Sequence, residues 1–220
     1  MTTVLIADDQ PLQRLGFRML LTGTPGMTPL GEAEHGAEAV RMAAELRPDV
    51  VLMDVRMPGM DGIEATRRIV AAGGRTRVLI VTTFDLDEYA YAGLRAGASG
   101  FLLKDARPEE LIAGIQAVAT GDAVVAPSLT RRLLDTYVHQ VAPPPTAAPD
   151  PRVAALSGRE HEVLVAIGRG WTNAEIAERL MLTESTVKKH VSRVLAKVGA
   201  RDRIQAVIVA YDAGLVTPRS

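Results

Sequence analysis

The sequence predicts an α/β domain with a doubly wound, five-stranded parallel sheet, followed by a small all-α domain built round a helix-turn-helix. Three observations carry this. The first part of the chain alternates short, continuous apolar runs with amphipathic helical stretches. The segment His139 to Pro151 holds five prolines in thirteen positions, which neither a helix nor a central strand tolerates. The last part carries two Ser/Thr-x-x-Glu capping boxes ahead of helical patterns.

Taken in order, Val4-Leu5-Ile6-Ala7, Val50-Val51-Leu52-Met53, Val78-Leu79-Ile80-Val81 and Phe101-Leu102-Leu103 are apolar without alternation, as strands covered on both faces are. A weaker strand is expected near Thr28 to Gly31. Leu12 to Leu21, Ala37 to Leu46, Ile63 to Ala71, Glu88 to Ala96 and Pro108 to Thr120 repeat apolar residues at helical spacing, giving five β/α units. The expected boundaries are 1–121 for the α/β domain, 122–151 for a helix and an extended proline-rich spacer, and 152–220 for the helical domain.

The chain has 220 residues, 25 basic and 26 acidic, with 47% hydrophobic residues and no cysteine. That excludes disorder, collagen, disulfide-rich secretion, thiol catalysis and Cys-ligated zinc. The start, with Asp8-Asp9 after seven residues and no basic n-region, does not read as a signal peptide, and no apolar run approaches the roughly 18 residues of a membrane span. The expectation is a cytoplasmic protein with no membrane association. Residues 1–121 sum to −4 and 152–220 to +4, and three of the four lysines, Lys188, Lys189 and Lys197, fall near the C-terminus. An acidic module joined to a cationic one suggests a nucleic-acid contact at the C-terminal end.

In a parallel sheet the chemistry lies beyond the carboxyl ends of the strands. There the sequence places Asp8-Asp9, Asp54, Thr82-Thr83 and Lys104. Three converging carboxylates repel one another, and a hard divalent cation with oxygen ligands, Mg²⁺, relieves this. The lysine ammonium and threonine hydroxyl can then hold phosphoryl oxygens, and an aspartate so placed is a nucleophile able to form an acyl phosphate. Singly, each residue has a plainer reading: Asp8 or Asp9 caps a helix beginning at Pro11, Asp54 is a loop residue, and Lys104 is surface charge.

Together these residues resemble the receiver domain of two-component response regulators. The likeness covers residues 2–121 and is carried by Asp8-Asp9, the segment Val51 to Gly62 (VLMDVRMPGMDG), Thr82, and Gly100-Phe101-Leu102-Leu103-Lys104. It implies a flavodoxin-like fold with Asp54 as phosphoacceptor. It also implies that Asp9, Asp54 and the Arg56 carbonyl bind Mg²⁺, with Asp8 acting through water. Thr82 and Lys104 would hold the phosphoryl oxygens, and the rotamer of Phe101 would report the position of Thr82. Thr83 competes with Thr82, and Asp105 follows the lysine where many relatives carry proline.

Beyond the spacer, Ser157 to Glu160 and Thr172 to Glu175 mark helix starts, and Thr183 is a third N-cap. A helix of about eight residues, a tight turn and a longer helix ended by Gly199 make a helix-turn-helix. On the longer helix Val187, Val191, Val194 and Val198 form the inward stripe, which turns Lys188, Lys189, Ser192 and Arg193 outward, as suits the major groove. Leu156 to Val216 resembles the LuxR-type helix-turn-helix, so the whole chain resembles a NarL/FixJ-type response regulator. The carriers are Leu156 to Glu160, Gly170 to Ala177, Thr186 to Val191, and Arg203-Ile204-Gln205-Ala206. The resemblance implies base contacts from Lys188, Lys189 and Ser192, phosphate contacts from Thr186 and Arg193, and dimerisation near Arg203 to Tyr211. Trp171 reads as packing and His190 as a phosphate or packing contact.

The expected function is transcription control by phosphorylation. A partner histidine kinase supplies the phosphoryl group to Asp54, and the chain then pairs as a homodimer on an inverted repeat of double-stranded DNA, with RNA polymerase a candidate partner. The only expected catalysis is in cis, Mg²⁺-dependent self-phosphorylation and slow self-dephosphorylation, so the chain is not read as an enzyme. An aspartate-nucleophile phosphohydrolase would carry a second carboxylate two residues after the nucleophile, where this chain has Arg56. An orphan DNA-binding protein would have no use for the full set Asp8, Asp9, Asp54, Thr82 and Lys104.

Overall fold

The computed structural model describes residues 1–83, 92–120 and 150–216, and the backbone of Val124 and Val125. The chain divides into two compact units, Met1–Leu129 and Thr130–Ser220.

In the first unit the strands are β1 (Thr2–Ala7), β2 (Met27–Ala33), β3 (Val50–Met53), β4 (Arg77–Thr82), β5 (Gly100–Leu103) and β6 (Val124–Val125). All pairings are parallel, in the order β2-β1-β3-β4-β5-β6. The five expected strands are present, and β6 adds a two-residue ladder to β5. Every residue of β3 is buried, as are five of the six in β4, so the unbroken apolar runs reflect cover on both faces. The weak signal of β2 has a local cause. Pro29 lacks an N–H and sits on an edge strand, and the register with β1 slips between Val4 and Leu5.

The helices of this unit are α1 (Pro11–Thr22), α2 (Gly36–Leu46), α3 (Gly62–Ala71) and α4 (Pro108–Thr120). Of the helix expected over Glu88 to Ala96, residues 84–91 lie outside the described residues, and 92–95 are helical. Helix α1 is not the simple amphipathic element its leucines suggest. Leu12 is 79% and Met19 67% exposed, while Arg14 is 7% exposed beside buried Phe17 and Leu21. Arg14 is drawn inward by fixed acceptors: it donates to the Asp8 carbonyl at 2.8 Å, and pairs with Glu34 at 2.6 Å and Glu32 at 3.5 Å.

The second unit holds α5 (Pro151–Ala154), α6 (Gly158–Gly168), α7 (Asn173–Leu180), α8 (Glu184–Val198) and α9 (Arg203–Asp212). Both capping boxes form, Ser157 with Glu160 and Thr172 with Glu175, and Thr183 caps α8 through the Thr186 N–H. Of the valine stripe on α8, Val187, Val194 and Val198 are buried and Val191 is half-buried. The turn between α7 and α8 is closed by Met181 with φ 53°, a left-handed conformation that a methionine adopts only with strain, and its side chain is exposed. Most of the proline-rich segment lies outside the described residues. Its end does not: Asp150 caps α5, and Pro151 takes the first helical position, where a missing N–H costs nothing. Among the described residues no helix is long and apolar enough to cross a membrane.

Candidate functional site

The sheet register assembles the first site. Ala7 stands opposite Met53, and Thr82 opposite Leu103, so the residues that follow β1, β3 and β5 leave the same edge. Backbone bonds carry the ladder one step further. The Asp54 N–H donates to Ala7 at 2.8 Å, Lys104 N–H to Thr82 at 2.8 Å, and Asp8 N–H to Ala33 at 3.1 Å. β1 lies between β2 and β3, so the chain leaves it first to one side and then to the other, and Asp8 and Asp54 stand at that switch point.

Asp8 and Asp54 are buried, Asp9 is exposed, and oxygens of all three carboxylates lie within 4.8 Å of one another. Lys104, its side chain only 3% exposed, brings Nζ to 2.6 Å from Asp8 Oδ2 and 2.9 Å from Asp54 Oδ2. Asp54 Oδ1 accepts from the Val55 N–H at 2.7 Å. Burial raises the pKa of Asp54 above the ordinary carboxylate value, with the Asp8 charge adding to it and Lys104 opposing it. Burial alone would lower that of Lys104, but hydrogen bonds to Asp8 and Asp54 outweigh it and hold the ammonium charged. This set of hard oxygen donors fits a Mg²⁺ ion.

The capping alternative for the acidic pair is not what the fold uses. The N-cap of α1 is Gln10 with no side-chain cap, and Asp8 Oδ1 instead accepts from the Gln10 N–H at 2.9 Å. Thr82 is buried at the end of β4, whereas Thr83 is exposed. Phe101 is fully buried, opposite Ile80 across the ladder, and Arg56 is exposed on the loop after Asp54. Two contributors escaped the sequence reading. Arg14 holds the Asp8 carbonyl from behind, and its signal was a charge amid apolar residues of α1. Gly62 lets α3 start against the acceptor, since a Cβ there would meet the Asp54 carbonyl oxygen at 1.8 Å.

In the second unit Lys188, Lys189, Ser192 and Arg193 are all exposed on α8, and Thr186 and His190 are half-buried. Thr186 Oγ1 lies 2.9 Å from Thr183 Oγ1, and Ser192 Oγ donates to the Lys188 carbonyl at 3.0 Å. Lys197, unlike Lys188 and Lys189, makes an ion pair with a described residue of the unit. Its Nζ lies 2.6 Å from Glu160 Oε2, tying the last turn of α8 to the capping box of α6. That bond, with those from Ser157, holds the Glu160 carboxyl down at about 2. A group whose pKa is depressed by folding stabilises the fold above its ordinary value, and that contribution is lost as pH falls toward the folded value. Glu160→Gln should therefore flatten the acid-unfolding curve between about pH 4.5 and pH 2. The fluorescence of Trp171, the single tryptophan, reads this unit. An unchanged curve would remove the Glu160–Lys197 pair from the acid response.

Two families match the chain. Residues 4–116 match the response regulator receiver domain, and residues 154–210 match the bacterial regulatory proteins of the luxR family. The chain is similar to the uncharacterized transcriptional regulatory protein YxjL of Bacillus subtilis (strain 168), 43% identical over 97% of this chain and 96% of the relative. It is also similar to the nitrate/nitrite response regulator protein NarL of Escherichia coli (strain K12), 34% identical over 94% and 93%. Among solved structures it resembles the response regulator ChrA of a heme-sensing two-component system, with a TM-score of 0.53, 34% identity and 98% of each chain covered.

Proposed function

Because the chain belongs to the two-component response regulators of the NarL/FixJ type, transcriptional regulators with a receiver and a LuxR-type helix-turn-helix, we propose that Asp54 is its phosphoacceptor and that a histidine kinase is the donor. The observation that carries this is the buried Asp54 carboxylate, held by Lys104 at 2.9 Å within a cluster of three acids. Asp9, Asp54 and the Arg56 carbonyl would hold Mg²⁺ directly and Asp8 through water. The cation, when bound, neutralises charge that would otherwise repel the incoming phosphoryl group. Thr82 and Lys104 then receive the phosphoryl oxygens, and Phe101 lies behind Thr82 to follow its movement.

In this reading residues 1–121 receive the signal, 122–151 join the two parts, and 152–220 bind an inverted repeat as part of a homodimer. Phosphorylation adds no enzyme activity beyond self-phosphorylation and slow hydrolysis, and contact with RNA polymerase would follow promoter binding. Treating the full chain with acetyl phosphate and Mg²⁺ should double its mass in solution and raise its affinity for an inverted repeat. A chain that stays monomeric and binds no better overturns the reading.

Base readout is assigned to Lys188, Lys189 and Ser192, all exposed on α8, with Thr186 and Arg193 on phosphates. Lys188→Ala and Lys189→Ala should each cost on the order of 1–3 kcal/mol on a specific duplex and relax base preference. Equal losses on specific and random duplexes would make them phosphate contacts instead.

A further inference from the structure

The helical unit carries a second cationic feature, built from α6 and α7 and not from α8. Arg169, the C-cap of α6, and Arg179, in the last turn of α7, both lie over the ring of half-buried Trp171, 5.5 and 4.2 Å from its centroid. Both arginines are exposed, and neither guanidinium makes a hydrogen bond or a close ion pair with another described residue. Other arginines of the unit are engaged: Arg152 with Asp150, Arg159 with Glu162 and the Leu180 carbonyl, and Arg203 with Asn173 Oδ1 and the Trp171 carbonyl.

A guanidinium lying on an aromatic face spends its flat surface there and leaves its in-plane N–H donors, five in each arginine, directed elsewhere. Stacking also removes much of the side-chain freedom that an arginine otherwise loses on binding. The nearby Glu175 attracts Arg179 electrostatically but makes no close ion pair with either arginine. Its carboxylate is committed to the capping box, accepting from the Thr172 N–H at 2.7 Å and from Oγ1 at 3.0 Å. Two pre-arranged, unspent guanidiniums form a receptor for the oxygens of a phosphodiester.

The position in the fold supplies the partner. α7 is the first helix of the helix-turn-helix pair, and this helix crosses the sugar-phosphate backbone when the second lies in the groove. Arg203, at the start of α9, holds Trp171 and Asn173 beside the segment that follows α8. We propose that Arg169 and Arg179, held on Trp171, clamp the DNA backbone beside the groove that α8 reads. Trp171 is then a positioning residue as well as a packing one. This rests on the reading of the unit as a duplex-DNA binder.

The test is a salt series with the full chain on a random-sequence duplex, where only backbone contacts count. Arg169→Gln and Arg179→Gln should each weaken binding on the order of tenfold and reduce the slope of log K against log salt by about 0.9, and the double variant by about twice that. Trp171→Leu keeps both charges, so it should weaken binding several-fold with the slope near wild type, while Trp171→Phe should bind like wild type. Thermal unfolding by circular dichroism checks that each variant is folded. A folded double variant with the wild-type slope overturns the clamp alone. A wild-type chain that binds no duplex overturns the DNA reading and the clamp with it.

Discussion

Asp54→Ala should abolish phosphoryl transfer from acetyl phosphate, while the variant stays folded. In the proposed reaction a carboxylate oxygen of Asp54 attacks phosphorus, the bond from phosphorus to the acetyl oxygen breaks, and acetate leaves with the electron pair. Nothing else described can replace that nucleophile. Asp8 stands as close to Lys104, but at 1% against 5% exposed it is still less open to an incoming phosphodonor than Asp54. Asp9 is exposed and has no hydrogen-bond donor such as Val55 to orient it among the described bonds of the cluster. Burial works against the attack by favouring the protonated acid, and the Lys104 ammonium opposes this in part by favouring the charged form. Asp54→Asn, which keeps the shape and loses the nucleophile, should be equally inert. Intact-mass measurement after incubation with acetyl phosphate and Mg²⁺ decides it. An alanine variant that gains the phosphoryl mass as fully as wild type would remove Asp54 from the acceptor role.

The sheet could be read because its strands announce themselves. Val50 to Met53 and Val78 to Val81 are apolar throughout, and burial on both faces leaves no other use for such runs. The capping boxes were equally plain, since each needs only two residues three positions apart. What the chain did not display were pairings across long sequence distances. Lys197 counts in the sequence only toward the basic charge near the C-terminus, yet it is claimed by Glu160, 37 residues earlier. Nothing near Arg14 in the sequence names its partners, the Asp8 carbonyl and two glutamates of β2 and its flank, whose fixed acceptors offset the cost of its burial. The tight turn expected between α7 and α8 was found with a methionine in a left-handed conformation, a choice that no local propensity favours. The acid cluster was legible for a different reason. Strand ends are fixed by the strands, so residues next after them converge whatever the loops do.

The second large effect concerns how a phosphoryl group on one unit reaches DNA bound by the other. The sequence from His139 to Pro151, with five prolines in thirteen positions, is expected to act as a semi-stiff spacer, a good tether but a poor transmitter of fine geometry. Control by pairing needs no such transmission. Once two receivers associate, the second half-site contact becomes intramolecular, and avidity rises by roughly 10²–10⁴ with no new base contact. The rearrangement that triggers pairing is then local: Thr82 moves toward the phosphoryl oxygens, and Phe101, buried opposite Ile80 on the ladder, adjusts behind it. Two helix-turn-helix units related by a two-fold axis should favour half-sites about one helical turn apart, and insertion of half a turn between them should remove the gain. The competing scheme keeps the unphosphorylated receiver over α8 until phosphorylation releases it. The two schemes part on the affinity of the fragment 152–220 for a single half-site. Pairing predicts that the fragment and the unphosphorylated full chain bind equally weakly, and that tight binding appears only with doubled mass. A fragment that binds a single half-site far more tightly than the unphosphorylated full chain does would mean that the receiver blocks α8, and control by pairing would be overturned.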